Sequence, residues 1–343
     1  MNCKRLIISR TDSIGDVMLT LPLAGIIKKY YPKITVLFLG NEYTRDVIEC
    51  CENVDEFVDW TAISKLEKNK AIAAFRSLNA DMIIHVFPRK EIAILAKKAQ
   101  ITFRIGTSHR TYHWLNCNCF VNLSRKNSSL HESQLNTQLI KPLGIDNDYN
   151  LTQIASFFGF NEIQVLPEKF SNLLDNERFN LILHPKSKGS AREWGLENFG
   201  KLIEILPEDK YKIFISGTSD EAALMKTEIL DKYNDKIINL CGKLKLAEFI
   251  SFIEKADGLI AASTGPLHIA AALGKNALGI YPPIRPMHPG RWKAVGKNAH
   301  YFVKDKNCSD CRKTMDCLCM KSISPEEIKD YLLTHCRKTT CDN

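Results

Sequence analysis

Short apolar runs alternate with amphipathic segments along most of the chain. In the first half, the runs typical of buried strands are RLIISR, ITVLFLG, EFVDW, MIIHVF and ITFRIG. Between them, apolar positions recur with helical spacing over residues 16–30, 41–51, 64–78 and 90–99. Alternation of buried strands with amphipathic helices is typical of βα units repeated around a parallel sheet. The pattern therefore predicts an α/β fold.

This alternation pauses once, in the polar, proline-containing segment 161–178, and then restarts. The strand-like runs of the second half are NLILHP, YKIFISG, KIINLCG, GLIAAS and NALGIYP. A length of 343 residues also exceeds that of a usual single domain. We predict two doubly wound domains, residues 1–165 and 166–343. In such domains ligands bind beyond the carboxyl ends of the strands, so we expect the site in a cleft where the two domains face each other.

The composition is that of an ordinary globular protein, with 45% hydrophobic and 25% charged residues. The apolar run that opens the chain, Leu6 to Ile8, is too short for a signal-peptide core or a membrane span. These features predict a cytoplasmic location.

The net charge of +8 favours anionic partners, and the positive charge is concentrated in one segment. Between His85 and His131, a single acid, Glu91, accompanies eight basic residues: Arg89, Lys90, Lys97, Lys98, Arg104, Arg110, Arg125 and Lys126. The segment is either a solvated basic face or a site for a phosphorylated or carboxylated acceptor. No nucleic-acid-binding motif accompanies it and aromatic residues are not regularly interleaved, so we expect no nucleic-acid partner.

The chain has twelve cysteines, and without an export signal we expect reduced thiols. Four of them, Cys308, Cys311, Cys317 and Cys319, have the spacing C-x2-C-x5-C-x-C. This group could hold a structural zinc ion, although the spacing is tighter than in common zinc sites, or it could form a reduced or redox-sensitive loop. The sequence does not decide between these alternatives.

The stretch SRTDSIGDVMLTLPL places Asp16 where the first strand turns into a helix. There the helix dipole favours an ionised carboxylate, which could accept a proton from a hydroxyl group or could merely cap the helix. The chain contains no G-x-G-x-x-G motif, so a nicotinamide-dependent dehydrogenase is disfavoured.

The stretch GLIAASTGPLHIAAALG predicts a strand, a turn and a helix with Pro266 in its first turn. The free N–H groups of this helix and the Thr264 hydroxyl suit a phosphate or diphosphate, and His268 lies one turn further on. A capped helix with a buried histidine is the alternative.

Two further loops follow predicted strands of the second half. HPKSKGSAREWG offers Lys186, Ser187 and Arg192 before a helix that begins near Leu196, a combination that suits phosphates but is also typical of a solvated basic loop. In SGTSDEAALM, Glu221 could accept hydrogen bonds from ribose hydroxyls, or it could be an ordinary acid at a helix start.

Together these stretches resemble the glycosyltransferase family 9 heptosyltransferases, and the resemblance covers nearly the whole chain. It is carried by IGDVMLTLPLAGIIKKYYP, AREWGLENF, LCGKLKLAEFISFIEKADGLIAASTGPLHIAAALGK and CMKSISPEEI. The resemblance implies a GT-B architecture with an N-terminal acceptor domain and a C-terminal nucleotide-sugar domain. It also implies inverting transfer of a heptose from ADP-heptose to a lipopolysaccharide core, without a metal ion or other cofactor.

By matching positions, Asp16 falls on the catalytic base of the family. The donor-binding positions are Arg192 near the phosphates, Thr264, Gly265 and His268 in the diphosphate-binding turn, Glu221 near the nucleoside and Leu244 near the adenine. Ser263, which directly precedes that turn, is also expected to bind the donor. Such an acceptor is an anionic glycolipid, which Arg104 and Arg110 could guide, and peripheral contact with the inner face of the inner membrane is compatible with it.

Two positions depart from the family pattern. Ser263 stands where many members have aspartate, and Arg192 stands where lysine is frequent. An aspartate at position 263 would be expected to bind sugar hydroxyls, so its absence leaves the transferred sugar open. The alternative function is a nucleotide-binding or glycan-binding module of the same fold that has lost transfer activity.

Overall fold

The chain forms two compact α/β units, Met1–Glu162 and Ile163–Asn343, which we call the N-terminal and the C-terminal unit. The structure is a computed structural model that describes residues 3–126, 128–146, 148–285, 287–304, 316–336 and 338.

The N-terminal unit contains a parallel sheet with the strand order β3-β2-β1-β4-β5-β6. Its strands are β1 (Arg5–Ser9), β2 (Thr35–Gly40), β3 (Glu56–Asp59), β4 (Met82–His85), β5 (Phe103–Thr107) and β6 (Cys119–Val121). Its helices are α1 (Ile14–Met18), α2 (Pro22–Tyr30), α3 (Arg45–Glu49), α4 (Trp60–Ile63), α5 (Lys68–Ser77), α6 (Lys90–Lys98), α7 (Thr111–Asn116), α8 (Glu132–Gln138) and α9 (Leu151–Ala155).

The C-terminal unit repeats this arrangement with the order β12-β11-β10-β7-β8-β9. Its strands are β7 (Phe179–His184), β8 (Tyr211–Ile215), β9 (Ile237–Asn239), β10 (Gly258–Ala262), β11 (Asn276–Ile280) and β12 (Ala299–Phe302). Its helices are α10 (Glu168–Ser171), α11 (Leu196–Ile205), α12 (Ser219–Met225), α13 (Leu246–Lys255), α14 (Gly265–Ala272), α15 (Pro289–Trp292), α16 (Leu318–Lys321) and α17 (Pro325–His335).

In both units the order of the strands reverses at the centre of the sheet. The reversal lies between β1 and β4 in the N-terminal unit and between β7 and β10 in the C-terminal unit. At such a point the loops that follow the two central strands diverge and leave a crevice at the carboxyl edge. Each unit therefore offers one crevice where polar side chains can meet a ligand.

The central strands are apolar without interruption because both of their faces are covered. Residues 6–8 of β1 and 181–183 of β7 have no exposed surface. Continuous apolar runs are the mark of parallel sheets packed between helices. The predicted α/β fold with two doubly wound, Rossmann-like units is thus confirmed.

Two predictions of secondary structure are wrong in detail. The expected helix over residues 16–30 is two helices, α1 and α2, because Pro22 begins the second and cannot continue the first. The edge strands β6 and β12 were not predicted, since both are short and only partly buried.

Among the described ranges, no helix has both the length and the apolar character needed to cross a bilayer.

Gly25 provides a test of packing in the N-terminal unit. It lies in the interior of α2, where glycine to alanine usually stabilises a helix by about 0.5–1 kcal/mol. Here an added Cβ would lie 2.2 Å from the backbone oxygen of Phe157. We predict that Gly25→Ala lowers the free energy of unfolding by ~1–3 kcal/mol, measured by urea denaturation. A stabilised variant would contradict this close approach.

Candidate functional site

The carboxyl edge of β1 is organised by a buried arginine, Arg10, which follows the strand directly. Its guanidinium donates to three carboxylates: Nε to Asp12 at 2.7 Å, Nη1 to Glu132 at 3.0 Å, and Nη2 to Asp16. The Arg10 side chain is 3% exposed, so these bonds are shielded from water. We call Arg10, Asp12, Asp16 and Glu132 the Arg10 cluster.

Glu132 connects the Arg10 cluster to the second central strand. Its carboxylate, itself buried, also accepts from Arg125 Nε at 2.9 Å. Arg125 in turn donates to the carbonyl of Val86, directly after β4, at 2.9 Å. The loops that leave β1 and β4 are therefore joined through charge-assisted hydrogen bonds.

Asp16 lies in the first turn of α1, with its side chain 18% exposed. One carboxylate oxygen accepts from Arg10 and the other from the Ser13 hydroxyl. These two side-chain bonds fix the orientation of the carboxylate and leave lone pairs for a ligand hydroxyl. The role of Asp16 as a base stays a prediction.

The crowding of carboxylates around one arginine perturbs their titration. Burial raises the pKa of Asp12 to about 6; Arg10 opposes this rise, and the neighbouring Asp16 adds to it. Although burial disfavours the charge of Arg10, the three carboxylates raise its pKa above the ordinary value. Arg10 therefore stays protonated, while Asp12 gains a proton under mildly acidic conditions.

Sequence reasoning missed every member of the Arg10 cluster except Asp16. Arg10 and Asp12 lie within the stretch already singled out, directly after a strand, and could have been found there. Glu132 lies 122 residues away from Arg10 in the chain. Nothing in the local sequence around Glu132 indicates this contact.

In the C-terminal unit, the turn between β10 and α14 places a buried hydroxyl at the start of a helix. Thr264 is the N-cap of α14, but its hydroxyl makes no capping bond to the helix. Although buried, this hydroxyl has no hydrogen-bond partner in the part of the chain that the structure describes. A buried donor without an internal partner beside a helix N-terminus suits a phosphate oxygen.

The other residues predicted for this turn surround the same helix start. Gly265 and Pro266 begin α14, and the buried His268 follows one turn later. The backbone N–H of His268 donates to the carbonyl of Thr264 at 3.4 Å. The small side chains of Ala270 and Ala271 are buried, and they let the helix pack closely against β10 and β11.

The loop after β7 is tied together by Glu193, which was not predicted. One Glu193 oxygen accepts from the N–H of Ser187 at 3.0 Å and from its hydroxyl at 3.1 Å, and the other accepts from the ammonium of Lys186. Lys186 and Ser187 are thus engaged with this carboxylate, and Arg192 is nearly buried beside it. Donor binding by these three residues stays a prediction.

At the carboxyl ends of β7 and β8, Glu221 closes the start of α12. Its carboxylate accepts from the N–H of Thr218 at 2.8 Å and from the Thr218 hydroxyl at 3.1 Å, in a capping box. His184 Nδ1 lies 2.9 Å from Ser216 Oγ, and burial lowers the pKa of this histidine. Leu244 is half-buried in the turn before α13. The capping role is observed, and ribose binding by Glu221 and adenine binding by Leu244 stay predictions.

Ser263, the position that departs from the family pattern, neighbours Tyr281. Its side chain hydrogen-bonds the Tyr281 phenol, which also donates to the carbonyl of Trp292 at 3.0 Å. Burial raises the pKa of Tyr281 above its ordinary value, so the phenol stays neutral. Ser263 thereby joins the turn after β10 to the loop that follows β11.

The two predicted acceptor residues have different surroundings. Arg104 lies near the amino end of β5, and its guanidinium donates to the backbone carbonyls of Ile101, Thr102 and Asn116. Arg110 is exposed and precedes α7, beyond the carboxyl end of β5. Of the two, Arg110 has the position expected for a ligand-binding side chain in a parallel sheet.

Two of the four clustered cysteines, Cys308 and Cys311, lie outside the described residues. Cys317 is buried and Cys319 is partly buried. Within the described ranges, no three or more His, Cys, Asp or Glu side chains are grouped so that they could hold a metal ion.

The raised pKa of Asp12 predicts a pH dependence of stability. Because its native pKa is about 6 and its ordinary value is 3.8, the folded protein binds more protons than the unfolded chain between these values. The contribution of Asp12 to the free energy of unfolding therefore falls as the pH rises through this window. Urea denaturation at several pH values should show that this slope is removed in Asp12→Asn and kept in the control Asp148→Asn, which changes an exposed aspartate. Parallel curves for the wild type and Asp12→Asn would contradict the assignment.

Comparison with known proteins identifies the family. The model of glycosyltransferase family 9 (heptosyltransferase) matches residues 69–321, about three quarters of the chain. The chain is 22% identical to the lipopolysaccharide core heptosyltransferase OpsX of Haemophilus influenzae over 292 residues, which cover 81% of this chain and 79% of that protein.

Two solved structures share the fold. The ADP-heptose lipopolysaccharide heptosyltransferase II of Escherichia coli superposes with a TM-score of 0.73 at 17% identity, covering 96% of this chain and 97% of that one. The E. coli heptosyltransferase WaaC with ADP-2-deoxy-2-fluoro heptose gives a TM-score of 0.68 at 17% identity, covering 96% and 99%. These structures support the GT-B class of the two-unit fold. The chain belongs to glycosyltransferase family 9, the heptosyltransferases.

Proposed function

We propose that this glycosyltransferase moves a heptose from ADP-heptose to a lipopolysaccharide core or related glycan acceptor, with inversion and without a metal ion. The observation that carries the proposal is the buried Thr264 hydroxyl at the start of α14, which has no hydrogen-bond partner among the residues that the structure describes. Family membership supports the reaction class. The E. coli relative whose structure contains a fluorinated ADP-heptose supports the choice of donor.

The donor diphosphate would bind at the start of α14. The N–H of Gly265 in the first turn, the helix dipole and the Thr264 hydroxyl all favour negative charge there. Arg192 and His268 would supply further hydrogen-bond donors to the diphosphate. Lys186 and Ser187, which are held by Glu193, would lie at the margin of the site. Glu221 and Leu244 would contact the nucleoside.

The acceptor would be activated by Asp16. Its carboxylate takes the proton of an acceptor hydroxyl while that oxygen attacks the anomeric carbon, and the bond from this carbon to the diphosphate breaks. The electron pair leaves on the phosphate oxygen of ADP, where the Thr264 turn and Arg192 stabilise the new charge. General base assistance of this kind is typically worth ~10²–10⁴-fold in rate.

The Arg10 cluster would control where this carboxylate points. Arg10 and Ser13 each hold one oxygen of Asp16, so the carboxylate cannot rotate away when the acceptor arrives. The proposal thus assigns two chemical tasks, deprotonating the acceptor and binding the donor diphosphate, to the N-terminal and the C-terminal unit, respectively.

The acceptor is an anionic glycolipid in this proposal, guided by the basic residues between His85 and His131. Arg110 is the stronger candidate, because the Arg104 guanidinium already donates to three backbone carbonyls. A cytoplasmic location follows from the proposed nucleotide-sugar donor.

The serine at position 263 makes two questions testable: which sugar is transferred, and whether the protein transfers a sugar at all. It bonds Tyr281 instead of offering a carboxylate to sugar hydroxyls. Calorimetric titration with ADP-, GDP- and UDP-sugars, followed by a transfer assay, separates the possibilities. Donor binding without any transfer by the wild-type protein would favour the inactive binding module.

Replacing Asp16 tests the proposed base. Asp16→Asn should retain ADP affinity within about twofold and lose ~10²-fold or more in kcat, because only the proton acceptor is removed. The matched control is Glu91→Gln, which also removes an acid from the first turn of a helix that follows a strand. Near-normal turnover of Asp16→Asn would remove Asp16 from this role.

Replacing Thr264 tests the proposed phosphate site. Thr264→Val keeps the shape of the side chain and removes a hydroxyl that has no hydrogen-bond partner in the described ranges, so the free energy of unfolding without ligand should change little. ADP affinity, measured by calorimetry, should fall ~10-fold or more, as expected for a lost hydrogen bond to a charged group. Thr264→Ser should retain most of the affinity. Equal ADP affinity in Thr264→Val and the wild type would exclude the hydroxyl from the site.

A further inference from the structure

One edge of the N-terminal unit exposes large apolar side chains that the proposed reaction does not use. Trp114 is 64% exposed and Leu115 is 72% exposed, both on α7, and Phe120 on the edge strand β6 is 46% exposed. Three such residues within seven positions are unusual on a surface where single exposed apolar side chains are the norm.

These side chains lie on the same face of the sheet. At Gly106 of β5, a side chain would point towards α7, because an added Cβ would lie 2.5 Å from Nδ1 of His113 on that helix. Phe120 is paired with Gly106 on the neighbouring strand, and paired residues of parallel strands point to the same face. Phe120 therefore projects beside α7, which carries Trp114 and Leu115.

The polar atoms around this apolar surface already have partners. The indole N–H of Trp114 donates to the carbonyl of Ser108 at 2.8 Å, and the carbonyl of Leu115 accepts from the Lys97 ammonium at 2.7 Å. The indole N–H of Trp114 and the carbonyl of Leu115 therefore keep their hydrogen bonds when this surface enters an apolar medium. An aromatic ring with a satisfied N–H suits the interface of a lipid bilayer.

Positive charge surrounds the same surface. No aspartate or glutamate occurs between Glu91 and Glu132, whereas Lys97, Lys98 and Arg110 are exposed beside α7. The neighbouring Lys68 ammonium lowers the pKa of Lys98, because two positive charges side by side disfavour each other. Glu91 is one acid that neighbours α7, near Tyr112. The net local charge still favours an anionic partner.

We infer that Trp114, Leu115 and Phe120, together with Lys68, Lys97 and Lys98, form a surface that docks on an anionic lipid bilayer. The apolar side chains enter the interface and the lysines contact the negatively charged head groups. A second copy of the chain is a poorer occupant, since two such surfaces in contact would oppose lysine to lysine. We call this set the docking surface.

The docking surface would bring the enzyme to an acceptor embedded in a membrane, and in this respect the inference rests on the proposed function. Binding to vesicles is measured without donor or acceptor. A failed transfer assay and a failed vesicle assay are therefore distinguishable.

The test is co-sedimentation of the full chain with vesicles of phosphatidylglycerol and phosphatidylethanolamine, compared with vesicles of phosphatidylcholine. The wild type should bind the anionic vesicles at least roughly tenfold more tightly, and added salt should weaken this binding. The double variants Trp114→Ser/Leu115→Ser and Lys97→Glu/Lys98→Glu should each lose roughly tenfold or more. The control Val165→Ser, which removes an exposed apolar side chain elsewhere, should bind like the wild type.

A spectroscopic signal separates docking from a loss of structure. Trp114 should shift its fluorescence to shorter wavelength on anionic vesicles, and Trp114→Phe should keep most of the binding while losing that shift. With a water-soluble, de-acylated acceptor, Trp114→Ser/Leu115→Ser should keep the kcat and KM of the wild type.

Three results would overturn the inference. They are equal binding to neutral and anionic vesicles, undiminished binding by Trp114→Ser/Leu115→Ser, and a dimer in sedimentation velocity that this double variant abolishes while no vesicles bind.

Discussion

The reversal of strand order at the centre of each sheet is the constraint on which the rest of the structure depends. It sends the loops after the central strands in opposite directions, and so leaves an opening at the carboxyl edge of each sheet. Polar side chains can gather at that edge without interrupting the apolar strands behind it. The Arg10 cluster occupies this position in the N-terminal unit, and the Thr264 turn occupies it in the C-terminal unit.

The carboxyl edges of the two sheets differ in their electrostatic character. At the first, three carboxylates share one buried arginine, which orients Asp16, while burial raises the pKa of Asp12 despite the nearby positive charge. Breaking one such contact would leave a buried charge without its partner, which is costly. At the second, the start of a helix lies beside the Thr264 hydroxyl, which has no hydrogen-bond partner among the described residues, and this combination favours negative charge. In the proposed reaction, the carboxylate would accept the proton of the acceptor and the turn would receive the leaving diphosphate.

Much of this could be predicted from the sequence because the informative residues are local. Ten of the twelve strands follow from continuous apolar runs, whereas β6 and β12 were missed because edge strands are short and half-buried. Asp16 and Thr264 follow from their places at strand-to-helix turns. The contacts of Glu132 with Arg10, of Glu193 with Lys186 and of Ser263 with Tyr281 could not be predicted, since each depends on how separate loops fold onto one another. A charge count also cannot tell an engaged side chain from a free one, as Arg104 illustrates.

In the proposed reaction, protein groups alone, a carboxylate and a phosphate site at a helix start, perform an inverting heptose transfer. Its most direct test is a single-turnover reaction of the wild-type protein with ADP-heptose and a de-acylated lipopolysaccharide core in the presence of EDTA, with the product linkage determined by NMR. We expect full transfer under chelation and an inverted anomeric configuration. Transfer that needs a divalent metal ion, or a product with retained configuration, would contradict it.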